Sequence, residues 1–485
     1  MEEEREEDDD IFTKVDLPKT QTEESIQLKS PKRGLILIGI SLVLILLALA
    51  VVLYFIFVTH TDEQNYIMAK YLIHNTSAEY KIFHHTYNDT IKRIEVNKTK
   101  VNISNIIKFD SLGMVEIKLV FKDNLQNLDN LFYHCHSLEE IDLSYLITDE
   151  VKSASDLFNG CRLLKKIIFG EFSTQNIMNI SNMFSGCTRL ETMDLTRFKY
   201  DKLVDIYGLF FNCSELKEVN FGDFNTKNVV NMSKLFYECV SLVEINPHKE
   251  HNIDTGNVED MSYMFYNCKR LEKIPLSKLN TTNVIYMNNM FDSCEKLKNL
   301  EINSFDTRNV QNMFYMFANC QNLVSINLSN FDTSKVIDMF GMFKDCINLQ
   351  YLDIDSFNTS QVKDMGEMFG NCQKISNLNI SNFDVKNVES MLDMFENCSH
   401  LTSLNLSNFD TQKLEYASYL FDNCNKINCI DLRKFNTLKL THYVNFIPLE
   451  PPPNGIVYID GSIFNISIPE DWKIINISNN AYSGY

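Results

Sequence analysis

The stretch CQNLVSINLSNFDTSKVIDMFGMFKD, residues 320–345, decides the fold of this 485-residue chain, because its pattern recurs along most of the sequence. Twelve cysteines share its register, at positions 135, 161, 187, 213, 239, 268, 294, 320, 346, 372, 398 and 424. They are evenly spaced, except that the interval between Cys239 and Cys268 is three residues longer than the others. A Phe stands three residues before each of these register cysteines, and a Leu or Ile stands three residues after it. A fixed period of this kind indicates a stacked repeat array.

Each unit contains two apolar series. The first alternates with polar residues, which predicts a short strand with one buried face; it comprises Leu323, Ile326 and Leu328. The second recurs at helical spacing after residues 332–334, Asp-Thr-Ser, which are typical of a helix start; it comprises Val336, Met339, Met342 and Phe343. Because one unit cannot bury its apolar side alone, stacked neighbours must close the core.

The sequence therefore predicts an α/β fold. We expect a right-handed leucine-rich-repeat solenoid with a parallel sheet on the concave face, short helices on the convex face and one N-terminal transmembrane helix. Five segments follow from the same patterns: a disordered acidic cytoplasmic tail (1–33), a transmembrane signal anchor (34–58), a small β-rich N-terminal cap (59–113), twelve repeats (114–437) and a C-terminal cap (438–485).

The unit L-x-x-[IL]-[DN]-L-S-x-F-D-T-x-x-V-x-x-M-x-x-M-F-x-x-C resembles the BspA-like leucine-rich-repeat surface proteins of bacteria and unicellular eukaryotes. The resemblance covers roughly residues 114–437. It implies the repeat fold and a role in adhesion or surface display, and it offers no catalytic residues. The chain differs from many bacterial members by its predicted N-terminal anchor.

The anchor is predicted from residues 34–58, which contain no charged residue and at ~1.5 Å per residue are long enough to cross a ~30 Å hydrocarbon core. Lys29, Lys32 and Arg33 precede this run, and the next basic residue is Lys70. The positive-inside bias then places the N-terminus in the cytoplasm and the repeats outside the cell or in a lumen. We thus expect a single-pass type II membrane protein.

The net charge and the lack of known catalytic motifs limit the classes of function that the sequence favours. A net charge of −19 without a clustered basic face disfavours nucleic acid as a partner. The sequence has no nucleophile elbow, phosphate-binding loop or zinc-protease motif, so we expect no enzyme and no cofactor. Histidines pair at 84–85 and flank Cys135 at 134 and 136, but neither pair has a third metal ligand at a convincing spacing.

The methionines and register cysteines occupy the apolar positions of every unit. Thioether and thiolate groups could bind a soft metal, but their placement favours core packing. Neighbouring register cysteines are within disulfide reach, about 4.8 Å apart, although buried free thiols suit their parallel directions better. Cys429 lies outside the register and is expected to be exposed or to pair with another chain.

The leading hypothesis is a surface protein that binds a protein or glycan ligand on its concave sheet. Outward strand positions supply the candidate binding residues, which are Asp142, Asp194, Ser325, Asn327, Tyr351, Asp353, Asn379, Asn405 and Asp431. The first alternative is a passive coat or spacer without a specific ligand, and the second is a lumenal enzyme or enzyme subunit.

One irregular loop interrupts the array. It comprises Pro247, His248, Lys249, Glu250, His251 and Pro275. Proline removes a donor from a strand ladder, so we expect a local break in strand pairing and a loop beside the concave face.

Asn-x-Ser/Thr sites are frequent. The candidates for glycosylation are Asn75, Asn88, Asn97, Asn179, Asn231, Asn280, Asn465 and Asn476.

Overall fold

The computed structural model describes residues 45–52, 65–222, 226–247, 255–272, 274, 276–450, 452–464 and 466–476. The chain divides into two compact units, Met1–Asp62 and Glu63–Tyr485. In the first unit the described residues, 45–52, form an exposed helix. All other described residues belong to the second unit.

The prediction of a transmembrane helix at 34–58 is wrong for the part of the span that the structure describes. Residues 45–52 of the predicted span are helical. Among the described residues, no helix has the length and apolarity needed to cross a membrane. The rest of the predicted span lies outside those residues.

Short strands are the main regular elements of the second unit. In the described residues they are β1 (Tyr66–Ile73), β2 (Glu79–Lys81), β3 (Ile91–Val96), β4 (Thr99–Val101), β5 (Ile106–Lys108), β6 (Gly113–Phe121), β7 (Leu138–Asp142), β8 (Lys166–Ile168), β9 (Thr192–Asp194), β10 (Glu218–Gly222), β11 (Glu244–Pro247), β12 (Ser325–Asn327), β13 (Tyr351–Asp353), β14 (Ser403–Asn405), β15 (Cys429–Leu432), β16 (Ile456–Ile459) and β17 (Lys473–Asn476). Two 3₁₀ helices span His85–Tyr87 and Leu276–Lys278.

A six-stranded sheet joins the N-terminal module to the first coils of the array, in the order β4-β3-β6-β1-β7-β8. The strand β1 is antiparallel to both β6 and β7, whereas β7 and β8 are parallel. A two-stranded sheet of β2 and β5 completes the module. The module thus caps the array by continuing its sheet, which keeps the apolar end of the first coil from water.

The strands of later coils pair in parallel, residue for equivalent residue. They form the sheets β9-β10-β11, β12-β13 and β14-β15-β16-β17. In the pair of β12 and β13, for example, Ser325 lies opposite Tyr351 and Asn327 opposite Asp353. The outward side chains of β7 to β17 are called the strand face below.

The predicted helices on the other side of each coil are wrong. Within the described residues of the repeats, this side consists of turns, and the 3₁₀ helix Leu276–Lys278 lies instead at the strand end of its coil, eight residues after Cys268. The segment Val336–Phe343 contains Gly341 at φ 60°, and Asp345 follows at φ 57°. A left-handed residue ends an α-helix, and one recurs five residues and one residue before each register cysteine. The array is therefore a β-solenoid of about twelve turns rather than an α/β solenoid.

The turn side, defined as the eight residues before each register cysteine, has a hydrogen-bond ladder of its own. Backbone N–H groups of Met339, Gly341 and Phe343 donate to carbonyls of the next coil, at 2.8–3.1 Å. Parallel bridges link equivalent residues of successive coils; they join Asn127, Ser153, Asn179, Asp205, Asn231, Asp260, Tyr286, Asn312, Asp338, Asp364, Ser390, Tyr416 and His442. These three donors point toward the C-terminal end of the array, whereas bridge residues such as Tyr286 donate to the preceding coil, in this case to the Glu259 carbonyl at 3.2 Å.

The N-terminal module closes the other end of that ladder. Four carbonyls of the first coil face the module, those of Asn127, Asp129, Leu131 and Tyr133. The Tyr87 hydroxyl donates to the first two at 3.2 and 2.9 Å, the His84 N–H to the third at 2.7 Å and Lys81 Nζ to the fourth at 2.5 Å. Because a buried carbonyl without a donor costs free energy, these contacts stabilise the first coil.

A stack of phenylalanine rings runs through the core. The Phe three residues before each register cysteine is buried in all twelve coils, from Phe132 to Phe421. Neighbouring rings lie 5.4–5.9 Å apart between centroids and within 13° of parallel. The spacing of the coils thus brings each ring onto the next in an offset stack.

The register cysteines are buried free thiols. Eleven of them, from Cys161 to Cys424, donate through Sγ to the carbonyl of the stacked Phe in the preceding coil, as Cys346 does to Phe317 at 3.1 Å. Burial raises the pKa of the Cys135 thiol to about 12. Protonated thiols of this kind act as packed donors rather than as reactive groups.

Candidate functional site

A cleft of about 460 Å³ opens on the six-stranded sheet at the N-terminal end of the strand face. It is lined by alternate residues of β1, β6 and β8 and by three consecutive residues of β7, together with Glu95 of β3, Lys98 and Tyr145. Alternate strand residues point to the same side of a sheet, so the lining side chains share one face, apart from that of the buried Ile141. The opposite side of these strands is buried in the core.

Charges alternate across this sheet because of the strand register. One row runs Glu116, Lys70, Glu140 and Lys166 on β6, β1, β7 and β8. Lys70 Nζ donates to Glu140 Oε2 at 2.7 Å. Opposite charges on facing strands are favourable, and like charges there are not. The cleft therefore presents ordered charges of both signs.

The ion pair of Lys70 and Glu140 shifts the pKa of both side chains. The hydrogen bond from Lys70 lowers the pKa of the Glu140 carboxyl, and the hydrogen bond to Glu140 raises the pKa of the Lys70 ammonium. Both groups are charged at neutral pH. Lys70 belongs to the N-terminal module and Glu140 to the first coil, so the pair also links the two.

Aromatic rings form one edge of the cleft. Tyr66 and Tyr145 are stacked with centroids 4.5 Å apart and planes 12° from parallel. Lys118 Nζ lies 3.8 Å from the centre of the Tyr66 ring. Tyr145 keeps 47% of its surface exposed. Aromatic residues with a polar tip are frequent in binding sites because they offer a large rigid contact area.

The candidate residues of the strand face lie in two settings. The acidic and amide candidates are Asp142, Asp194, Asn327, Asp353, Asn379, Asn405 and Asp431. Their Oδ1 atoms accept the backbone N–H two residues later, at 2.9–3.3 Å. These side chains therefore stabilise the turn that ends each strand. Asn379 is the one that lies outside a strand.

The other two candidates, Ser325 and Tyr351, face each other across β12 and β13. Ser325 is half-buried, whereas Tyr351 is 68% exposed. Tyr351 is thus a large side chain on the strand face that is available for contact.

The irregular loop is only partly described. Pro247 is the last residue of β11 and lies opposite Gly222 of β10, where the register shifts. The residues from His248 to His251 (His248, Lys249, Glu250 and His251) and Pro275 lie outside the described residues. The turn-side ladder passes this point without interruption, from Asn231 to Asp260 to Tyr286.

The sequon asparagines occupy different environments. Asn75, Asn88, Asn97 and Asn280 are exposed. Asn179 and Asn231 are half-buried bridge residues of the turn side, and Asn476 ends β17 half-buried. Asn465 lies outside the described residues. Glycosylation at the exposed sites stays a prediction.

Of the residues that line the cleft, the sequence predicted only Asp142 as a binding residue. Its residues Tyr66, Lys70 and Lys118 lie in the N-terminal module, and Tyr145 follows the first repeat strand. The signal available was the alternation of polar and apolar residues in 66–73 and 113–121. That alternation shows which side chains face outward, but it does not show that β1 pairs with the strand of the first repeat.

Metal-binding groups and the thiol outside the repeat register were the remaining candidates for chemistry. In the parts of the chain that the structure describes, no group of three or more His, Cys, Asp or Glu side chains is placed to hold a metal ion. Cys429 is a half-buried free thiol on β15, opposite Ser403.

Comparison with known proteins agrees with the repeat. The family described as "Mycoplasma protein of unknown function, DUF285" matches three consecutive stretches, residues 126–246, 243–351 and 341–447. No curated protein matches the chain.

Three solved structures of bacterial repeat proteins are similar to this chain. A leucine-rich cell surface protein from Faecalibacterium prausnitzii is 15% identical over 67% of this chain and 89% of its own, with a TM-score of 0.27. A leucine-rich repeat protein from Eubacterium ventriosum is 14% identical over 57% and 87%, with a TM-score of 0.27. One from Bacteroides ovatus is 15% identical over 78% and 80%, with a TM-score of 0.27.

The predicted resemblance to the BspA-like leucine-rich-repeat proteins is confirmed, since the 26-residue period and the family matches coincide. The matched stretches together run from residue 126 to residue 447, which is well over half of the chain. The chain belongs to the family described as "Mycoplasma protein of unknown function, DUF285".

Proposed function

We propose that this protein is a recognition scaffold that binds a macromolecular ligand, a protein or a glycan, on its strand face. The observation that carries the proposal is the cleft at the N-terminal end of that face. It combines a stacked tyrosine pair with rows of alternating charge, and these are groups that can select a partner by shape and polarity.

The strand face is also large enough to bind a macromolecule. At ~4.8 Å per coil, twelve coils extend about 55–60 Å, which accommodates a standard interface of roughly 800 Å² per partner. The exposed ring of Tyr351 adds a second anchor about eight coils from the cleft. We assign no catalytic step and no cofactor to the protein.

A screen of the full-length chain against a glycan array and a library of surface proteins tests the proposal. Tyr145→Ala and Tyr351→Ala should each weaken a ligand found in this way. Tyr443→Ala is the matched control, because Tyr443 is a similarly exposed tyrosine, at 47%, that lies away from the strand face, next to the last bridge residue His442. If all three variants bind as the parent does, the strand face is not the interface.

The competing proposal is a passive spacer. It is favoured by the engagement of seven candidate side chains in strand-ending turns, which a purely structural array also needs. A screen without any saturable ligand would support the spacer. We also propose that the repeats lie on the outer surface of the cell; protease added to intact cells tests this, since digestion of the repeats is expected and their protection would contradict it.

A further inference from the structure

A cluster of basic side chains lies where the N-terminal module meets the first two coils, away from the cleft. The basic cluster comprises Lys81, His84, His85, His134, His136 and Arg162. The ring centroids of His84 and His85 are 4.3 Å apart, and those of His134 and His136 are 5.1 Å apart. His85, His136 and Arg162 are exposed, and the others are half-buried.

Tyr133 holds the two halves of the cluster together. Its carbonyl accepts a hydrogen bond from Lys81 Nζ at 2.5 Å, and its ring lies 5.4 Å from the same atom. The Tyr133 ring centroid is 4.2 Å from that of His134 and 6.5 Å from that of His84. The His84 N–H donates to the Leu131 carbonyl at 2.7 Å. Module and coil thus fix these side chains side by side.

The positive charge of the cluster has no acidic partner in the described residues. Neither Lys81 nor Arg162 takes part in an ion pair there, whereas other basic residues of the early coils do, as Lys165 does with Glu139 and Lys217 with Glu191. This is unusual in a chain with a net charge of −19.

The charged groups that act on His84 and His134 are members of the basic cluster, and Tyr133 is a further titratable neighbour of both rings. Burial, Lys81 and His85 lower the pKa of His84. Burial, His136, Lys81 and Arg162 lower the pKa of His134. Every charge acting on these two rings is positive, so an anion placed among them would be stabilised.

The exposed ring of His136 has one nitrogen that is available to a ligand. His136 Nδ1 lies 2.8 Å from the carbonyl oxygen of Gly160, which can only accept, so Nδ1 carries the hydrogen. In the neutral ring Nε2 is then an acceptor, and protonation turns it into a donor. His84 Nδ1 similarly contacts Thr86 Oγ1 at 2.9 Å. Protonated histidines, Lys81 and Arg162 together offer charged donors to a multivalent oxyanion.

We propose that the basic cluster binds a sulfate or phosphate ester and that its histidines take up protons when the ester binds. The proposal concerns a site that is separate from the strand face and does not depend on the function proposed for that face. Because His84 and His134 are neutral at pH 7 and the anion favours their charged form, affinity should rise as the pH falls below about 6.5.

Calorimetric titration of the full-length chain with sodium sulfate at constant ionic strength tests the proposal, because sulfate keeps its charge between pH 7.5 and pH 5.5. We expect saturable binding that is about tenfold tighter at pH 5.5, the effect of one shifted pKa unit. His136→Gln and Arg162→Ala should each weaken it several-fold at pH 5.5. His400→Gln is the control, since His400 Nδ1 also lies 2.7 Å from a backbone carbonyl, that of Gln373, outside this cluster.

Proton NMR of the histidine rings gives a second readout that does not depend on the stability of a variant. Sulfate should raise the pKa values of the rings at 84 and 134 in the parent chain and leave the His400 titration unchanged. A sulfated disaccharide and O-phosphoserine, compared at equal concentration, identify which ester is preferred. Equal affinity at both pH values, or unchanged affinity in both variants, would overturn the proposal, as would failure of both esters to compete with sulfate.

Discussion

The two sides of each coil are held together differently. On the turn side, parallel bridges connect every coil to the next from Asn127 to His442. On the strand side, pairing is divided among separate sheets, and no named strand of the described residues lies between β11 and β12. The three-residue insertion after Cys239 falls in this gap, and the turn-side ladder still bridges Asn231 to Asp260 across it.

This difference indicates that the turn side determines how the coils stack. The outward residues of the strand side can therefore vary in sequence. The buried Phe rings and a continuous ladder belong to the turn side, and the buried thiols follow directly after it. The strand side then needs only short pairing, so its outward residues can differ from coil to coil. A recognition surface benefits from this separation, because side chains can change there at little cost to the fold.

The largest contrast is expected between Phe343 and Ser325. Phe343 is fully buried between the rings of Phe317 and Phe369, so Phe343→Ala should cost about 3–5 kcal/mol through lost burial and a cavity. Ser325 lies on the strand face, and Ser325→Ala should cost under about 0.5 kcal/mol. Chemical denaturation measures both. Equal losses would contradict the division of the coil into these two sides.

A smaller difference in the free energy of unfolding is expected between substitutions at Thr333 and at its neighbour Ser334. The buried Thr333 hydroxyl donates to the Asn358 carbonyl at 2.9 Å and accepts the Asn358 N–H at 2.8 Å. Thr333→Val keeps the shape but leaves both groups of the next coil unpaired, at a cost of about 1–3 kcal/mol. Ser334→Ala should be nearly neutral. Thermal unfolding that ranks Ser334→Ala as the more damaging change would instead favour a helix cap at 332–334.

The turn side should also respond to pH. Burial, Glu396 and Glu367 raise the pKa of Asp393 to about 6. The folded chain then binds more protons than the unfolded chain between the unfolded value of about 3.9 and pH 6, so this residue's contribution to stability is lost as the pH rises through that window. After discounting for solvent screening, Asp393→Asn should stabilise the protein by roughly 1 kcal/mol at pH 7.

Stability measured at pH 4 and pH 7 in both proteins checks this prediction. At pH 4 the parent and the Asn variant should differ little, since Asp393 is then mostly protonated. A variant that gains as much at pH 4 as at pH 7 would show that the effect is not electrostatic.

The smallest effect is expected in the cleft. Lys70 and Glu140 form an exposed ion pair at 2.7 Å, and exposed pairs add little to stability because water and salt screen them. Glu140→Gln should therefore change the free energy of unfolding less than Phe343→Ala, Thr333→Val or Asp393→Asn does, and 1 M salt should remove most of the difference. A loss as large as that of Thr333→Val that persists in salt would mean that the pair holds the N-terminal module on the first coil.

The period and the core were predictable from the sequence. Phe343 and Cys346 recur at fixed register, and a residue that recurs in every coil must meet its equivalents when the coils stack. The backbone of the turn side was not predictable from apolar spacing. Met339, Met342 and Phe343 are buried as a helical stripe would be, but a chain of turns with the same spacing buries them equally well.

The signal that distinguishes a chain of turns from a helix lies in the residues at the left-handed positions. Gly341 adopts φ 60°, and a Cβ at that position would lie 1.9 Å from the ring of Tyr315 in the preceding coil. Asparagine, aspartate or glycine stands at the second left-handed position in most coils, and these residues tolerate that conformation. The cleft was hidden for another reason, since the pairing of β1 with β7 is a tertiary contact that no repeat pattern encodes.

Hydrogen exchange along the whole array tests the central claim most directly. If the turn side holds the stack, amides such as those of Met313, Tyr315 and Phe317 should exchange slowly in every coil. Strand-side amides should exchange faster in residues 240–280 than in β9–β10 and β12–β13 on either side. Uniform protection of the strand side through 240–280, with faster exchange on the turn side, would contradict the account.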